Sequence, residues 1–138
     1  MHVTPEVDYT AYDWNSRGSG RRSVYRFLFR TLPDPFFEAL DAADSSQLVA
    51  VRNESTTPLQ ALALLNHPFV LCQCEHFAQR LKRERAELKT QLQAAFEVAL
   101  SRPATPDELA LVVGYARDRG LRNACRLIVN SNEFLFVN

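Results

Sequence analysis

No stretch of this chain is long and apolar enough to span a bilayer. The longest apolar runs, such as Ala61–Leu65, stop after five residues, against the roughly 20 that a membrane helix needs. Neither sign of charge is in excess. Sixteen Lys and Arg balance sixteen Asp and Glu, so no global field draws the chain toward nucleic acid or a membrane surface. Three cysteines, Cys72, Cys74 and Cys125, are odd in number and too few for a disulfide framework; they fit reduced, buried thiols. The opening residues Met1-His2-Val3-Thr4-Pro5-Glu6 lack the basic region and apolar core of a secretory signal. No Asn-Gly pair or similar signal announces a β-hairpin.

What is present is a chain of 138 residues, 46% apolar and 23% charged, the balance of an ordinary globular domain with a modest core. Residues 1–20 scatter Tyr9, Tyr12 and Trp14 among Asp, Asn, Ser and Gly with no period of two or 3.6. They read as an irregular arm that is poorly ordered, or held only where Tyr12 or Trp14 finds a groove. Residues 21–138 read as a single helical domain. Over 21–31 a helix would align Arg22, Arg26 and Arg30 as one stripe, with Val24, Tyr25, Leu28 and Phe29 on the other side. Pro33 and Pro35 stop that helix, and Pro35 opens a short one through Phe36, Phe37 and Leu40. An apolar patch is expected around Val24, Phe27 and Phe36.

The next helix starts have clear chemistry. Thr57-Pro58-Leu59-Gln60 and Thr105-Pro106-Asp107-Glu108 each supply a capping threonine, a proline at the first helical position and a returning Gln or Glu. The spacing predicts Leu59, Leu62, Ala63 and Leu65 as the buried side of the first. A helix from Pro68 buries Val70, Cys74, Phe77, Ala78 and Leu81. One over about 86–101 buries Leu88, Leu92, Ala95, Phe96, Ala99 and Leu100. One from Pro106 buries Leu109, Val112, Val113 and Ala116 and stops near Gly120. A last helix carries Leu121, Ala124, Cys125 and Ile128. The fold class is all-α, an irregular bundle of about five to seven short helices with an irregular N-terminal arm.

Candidate chemistry is sparse. Cys72-Gln73-Cys74-Glu75-His76 suggests a metal or haem ligand set. On a helix, however, Cys72 and His76 share a face that Cys74 leaves, and c-type haem attachment needs two residues between the cysteines and a histidine directly after. No metal site and no cofactor are expected in this chain. Five arginines lie between Arg17 and Arg30 with no acid among them, interleaved with Tyr25, Phe27 and Phe29. That pattern raises nucleic-acid binding, which the zero net charge argues against. Arg22, Arg26 and Arg30 are read instead as a partner-facing stripe. Nothing fixes the spacing of Glu38, Asp41, Asp44 and Glu54 as a catalytic pair. Ser55, Thr56 and Thr57 lie near no base, and Thr57 and Thr105 are structural caps. Asn66, Asn130 and Asn132 satisfy helix ends, and Glu133 favours a following helical turn.

Three runs carry a resemblance: Arg21-Arg22-Ser23-Val24-Tyr25, Arg30-Thr31-Leu32-Pro33, and Ser55-Thr56-Thr57-Pro58-Leu59-Gln60-Ala61-Leu62-Ala63-Leu64-Leu65-Asn66. Together they resemble the C-terminal planctomycete-specific domain, domain of unknown function 1553. Ser101-Arg102-Pro103-Ala104-Thr105-Pro106-Asp107-Glu108-Leu109 and Asn130-Ser131-Asn132-Glu133-Phe134-Leu135 are similar to its closing part, so the resemblance runs over about residues 10–138. It departs from the pattern at His67, where a small acidic or amide residue is usual, and at Cys72 and Cys74. The resemblance implies the terminal part of a larger exported protein of the cell envelope, periplasm or exterior, often with a cytochrome-c-like haem domain upstream. By that reading this chain is a fragment or truncated member whose partners are the upstream domains or a second copy. No reaction is established for such domains, so no catalytic residue carries over. The leading functional reading is a non-catalytic helical structural or interaction module. An accessory portion of a redox or polysaccharide-processing enzyme comes second, and a nucleic-acid-binding module third.

Overall fold

Four of the seven α-helices among the described residues begin on a proline. Proline has no amide hydrogen to leave unpaired at a helix start, and its fixed φ is already helical. The computed structural model describes residues 7–25, 29, 32–42 and 57–136. The helices are α1 (Pro35–Ala39), α2 (Pro58–Asn66), α3 (Pro68–Glu84), α4 (Leu88–Leu100), α5 (Pro106–Arg119), α6 (Leu121–Val129) and α7 (Asn132–Leu135). No strand occurs among the described residues; one isolated antiparallel bridge joins Phe29 and Leu32. The fold is all-α. Its contacts divide the chain into two compact units, Met1–His67 and Pro68–Asn138, at the point where the sequence marks a helix start at Pro68.

The first unit is built from turns around aromatic rings. Asp8 caps a 3-10 turn at Tyr9–Ala11 by accepting the Thr10 amide. The Tyr9 hydroxyl then donates to the Leu32 carbonyl at 2.7 Å and accepts the Phe29 amide at 2.9 Å. That second bond explains a departure from the sequence reading. In a helix the Phe29 amide would go to the carbonyl of Tyr25, four residues back; here it goes to a side chain 20 positions away. The helix expected over 21–31 is replaced, in its described part, by one 3-10 turn at Ser23–Tyr25 and the Phe29–Leu32 bridge. Val24, Tyr25 and Phe29 are also weak helix formers. Arg22 is exposed, and Arg26 and Arg30 lie outside the described residues.

Trp14 secures the arm. Its ring meets Tyr12 edge-on at 4.8 Å and His67 edge-on at 5.2 Å, and His67 stacks on Phe36 at 3.8 Å with the planes 15° apart. Phe36 is accordingly buried and forms no exposed patch. Phe27 and the Val24 side chain lie outside the described set. Asp34 caps α1 through the Phe36 amide. At the far end of α1, Asp41 accepts from the Gln60 amide nitrogen of α2 at 2.7 Å.

α2 presents a different face from the one its leucines suggest. Gln60, Ala63, Leu64 and His67 are half-buried, at i, i+3, i+4 and i+7, whereas Leu59 is 65% exposed, Leu62 55% and Leu65 38%. The helix is apolar on nearly every side, so periodicity alone leaves its orientation open. The Gln60–Asp41 bond and the packing of His67 on Phe36 set it.

The second unit has the regular core that the sequence predicts. Cys74, Ala78 and Leu81 of α3 are buried with Leu92, Ala95 and Phe96 of α4. Val112 and Ala116 of α5 join them, as do Leu121, Ala124, Cys125 and Ile128 of α6. Val70, Phe77, Leu88, Ala99, Leu100, Leu109 and Val113 pack around them, partly buried. The turn between α3 and α4 is secured from inside, where the buried Gln91 amide donates to the Arg85 carbonyl at 2.8 Å. Gly120 both ends α5, donating to the Ala116 carbonyl, and begins α6, accepting from Ala124. Its φ of 86° and ψ of 155° lie in a region essentially confined to glycine.

Two predictions follow the helix ends. Thr57 and Thr105 each form the full capping box, accepting the amide three residues on while Gln60 or Glu108 reaches back. Thr57→Ala or Thr105→Ala should each lower stability by about 1 kcal/mol in urea titrations. Gly120→Ala meets no neighbouring atom within 4 Å, so its penalty is backbone strain alone, about 1–3 kcal/mol. An unchanged urea midpoint would contradict that assignment.

Candidate functional site

The densest polar arrangement in the second unit centres on Arg102. All five of its N–H groups have a partner. Nε and Nη2 donate to the two oxygens of Glu133 at 2.6 and 2.7 Å, and Nη2 and Nη1 donate to the two oxygens of Glu108 at 2.8 and 2.9 Å. The remaining Nη1 hydrogen goes to the Pro103 carbonyl at 3.1 Å. A planar guanidinium offers its donors in a fixed fork, so two carboxylates can each take an edge. The guanidinium also lies 5.8 Å from the Phe96 ring centre.

Local sequence places each member. Ser101 turns left-handed (φ 57°) and ends α4, aiming Arg102 at the start of α5. Glu108 is the returning arm of the Thr105 cap, and the oxygen that accepts Arg102 Nη1 also accepts the Thr105 amide at 2.8 Å. Ser131 caps α7 and puts Glu133 in its first turn. The side chains of Arg102, Glu108 and Glu133 are 33%, 36% and 46% exposed.

The hydrogen bonds from Arg102, helped by the Thr105 amide, hold the Glu108 carboxyl at about 2. The same guanidinium depresses Glu133, and the two carboxylates raise Arg102 beyond its ordinary value. Both acids are thus fixed as anions with occupied oxygens. A general acid or base holds and releases a proton near working pH; here the guanidinium holds both carboxyls below their ordinary range. The arrangement is a structural joint between the end of α4, the start of α5 and α7.

The cysteine–histidine run does not assemble a site. Cys72 Sγ and His76 Nε2 are 4.0 Å apart along α3, while Cys74 turns into the core. Desolvation raises the Cys74 thiol against the nearby positive charge of Arg126 and Arg122. It pushes Cys125 up to about 12, with Cys74 adding to the effect. Such thiols stay protonated and unreactive in the folded chain. Among the described residues no group of three or more His, Cys, Asp or Glu could hold a metal ion. Of the carboxylates singled out in the sequence, Glu38 is exposed and Asp41 binds Gln60; Asp44 and Glu54 lie outside the described residues. Arg21 lies over the Tyr25 ring at 5.7 Å. Sequence reasoning missed the Arg102 joint. Glu108 was legible as a cap, but Glu133 lies 31 positions from Arg102, and no local spacing links them.

PSD1, a family of proteins of unknown function (DUF1553), matches residues 2–116. The chain belongs to this family. No curated protein and no solved structure matches it. The DUF1553 match takes in the first unit, α3, α4 and most of α5, and so includes Arg102 and Glu108. Glu133 and the run Asn130–Leu135, read from the sequence as part of the resemblance, lie beyond the matched residues.

The joint makes stability depend on acid. A carboxylate whose folded pKa is depressed stabilises fully above its unfolded value, near 4.3 for Glu, and that contribution is lost as pH falls through the folded value. Stability should therefore fall from about pH 5 to about pH 2 as Glu108 and Glu133 protonate. Glu108→Gln should start less stable and lose less over the same window. Urea titrations at three pH values check this; parallel curves for both proteins would refute it.

Proposed function

We infer that this chain is a non-catalytic helical interaction module, one part of a larger envelope-associated protein, with no cofactor of its own. The observation that carries the interaction reading is the outward leucine face of α2, formed by Leu59, Leu62 and Leu65. Tyr25 and Leu32 of the same unit are also exposed, at 70% and 42%. Exposed apolar side chains along one face of a helix are what an association surface uses. The saturated Arg102 joint supports the non-catalytic part, because its acids are held as structural anions. The larger envelope protein rests on the resemblance described above. No helix among the described residues is long and apolar enough to cross a membrane. The partner is either the upstream part of that protein or a second copy, and Arg22 is an exposed cation available to meet its carboxylates.

Sedimentation velocity separates the two partners. The chain alone should self-associate at high concentration, or should bind the upstream region supplied in trans. Replacing Leu59, Leu62 and Leu65 with serine should weaken that association by roughly tenfold or more while the helical circular dichroism stays unchanged. A monomer at all concentrations that ignores the upstream region would overturn the reading.

A further inference from the structure

α7 has four residues, none of them buried, and it lies against α4 and α6. Its own bonds are local. The Phe134 and Leu135 amides donate to the Ser131 carbonyl and the Phe136 amide to the Asn132 carbonyl, while the Ser131 hydroxyl donates to the Ile128 carbonyl. Apolar burial adds little. Leu135 is half-buried, Phe134 and Phe136 are 43% and 49% exposed, and about 880 Å³ of space stays open between these rings and Ala99, Leu100 and Ser101. A single helical turn does not hold itself together in water. The bond that ties this turn to a distant element is the fork from Arg102 to Glu133, at 2.6 and 2.7 Å.

The two edges of Arg102 are not equivalent. Glu108 is held from two directions, because the oxygen that accepts Nη1 also accepts the Thr105 amide. Among the described residues Glu133 has the guanidinium alone. The charges that face it are Arg102, after the end of α4, which attracts, and Glu108 of α5, which repels; α6 contributes none. A proton entering the joint therefore goes to Glu133 first. Two donors keep Glu108 at about 2, whereas Glu133 is lowered by one guanidinium and pushed back up by its anionic neighbour.

We propose that α7 is an acid-released strap: protonation of Glu133 frees residues 131–136 from the end of α4, while Arg102, Glu108 and the start of α5 stay joined. A carboxyl lowered by a contact favours loss of that contact as the pH falls through its folded value. The neutral acid no longer pairs with the guanidinium, and the segment has too little buried apolar surface to stay without it. Arg102 keeps its place because Glu108 and the Pro103 carbonyl still hold its other donors. The opening is local, well short of unfolding. It uncovers Ala99 and Leu100, which pack on the core from the end of α4. The acid response of the second unit thus has two steps, the strap first and the α5 cap second.

The test follows amide hydrogen exchange in the full chain by NMR, corrected for the intrinsic rate at each pH. The Leu135 and Phe136 amides, bonded within the strap, report its closure. The Leu109 amide, bonded to the Thr105 carbonyl, reports the start of α5. From about pH 6 to about pH 3, protection at Leu135 and Phe136 should fall about fivefold while Leu109 keeps its own. E133Q should show the lowered protection already at about pH 6 and change little with acid. E108Q should keep the strap closed at about pH 6 and still release it in acid, because Arg102 and Glu133 remain. Equal protection of the strap in E133Q and the unaltered chain at about pH 6 overturns the proposal. So does strap protection that stays flat over this range, or that is lost only together with Leu109.

Discussion

One guanidinium with no idle hydrogen organises the close of the second unit. Arg102 follows the left-handed Ser101, so it stands where α4 has ended and α5 has not begun. Pairing with Glu108 fixes the start of α5, and pairing with Glu133 brings the segment after α6 back to the same point. Each contact alone would be an exposed ion pair of small worth. Bidentate geometry on both edges, shared with a capping amide, makes them act together as a network. The helices between are then left to ordinary apolar packing, with Leu81, Leu92, Cys125 and Ile128 at its centre.

The first unit solves the same problem differently. Its described residues hold little regular helix, and there rings and side-chain hydrogen bonds take the place of a periodic core. His67 ends α2 by donating its backbone amide to Ala63, and its ring serves as the surface on which Phe36 and Trp14 meet. At a position where the resembled family usually has a small acidic or amide residue, its side chain is a packing element. That role also explains why α2 turns Leu59 and Leu62 outward, because the turn of helix that reaches Phe36 is the one carrying His67.

Legibility in the sequence followed the range of the interactions. α3 to α6 were readable because their apolar positions repeat at 3.6, and because Pro68, Thr105-Pro106 and Gly120 mark the starts of α3, α5 and α6. Both capping boxes were readable because every partner lies within three residues. The face of α2 was not, since leucines and alanines surround that helix and no polar side contradicts any orientation. The described part of 21–31 departs from the expected helix because the group that takes the Phe29 amide, the Tyr9 hydroxyl, lies 20 residues upstream. The Arg102 joint had the same difficulty: Arg102 and Glu133 are unremarkable residues until the packing of α4, α5 and α6 brings them together.

The three cysteines have unequal access to solvent. Cys72 is part-exposed on α3, whereas Cys74 and Cys125 are closed into the interface of α3 and α6 at 2% and 0% exposure with raised thiols. An alkylating reagent in neutral solution therefore meets one accessible sulfur in the native chain and three in the open one. The mass of the alkylated chain records whether that interface has separated, so the protein carries its own opening clock without an introduced label.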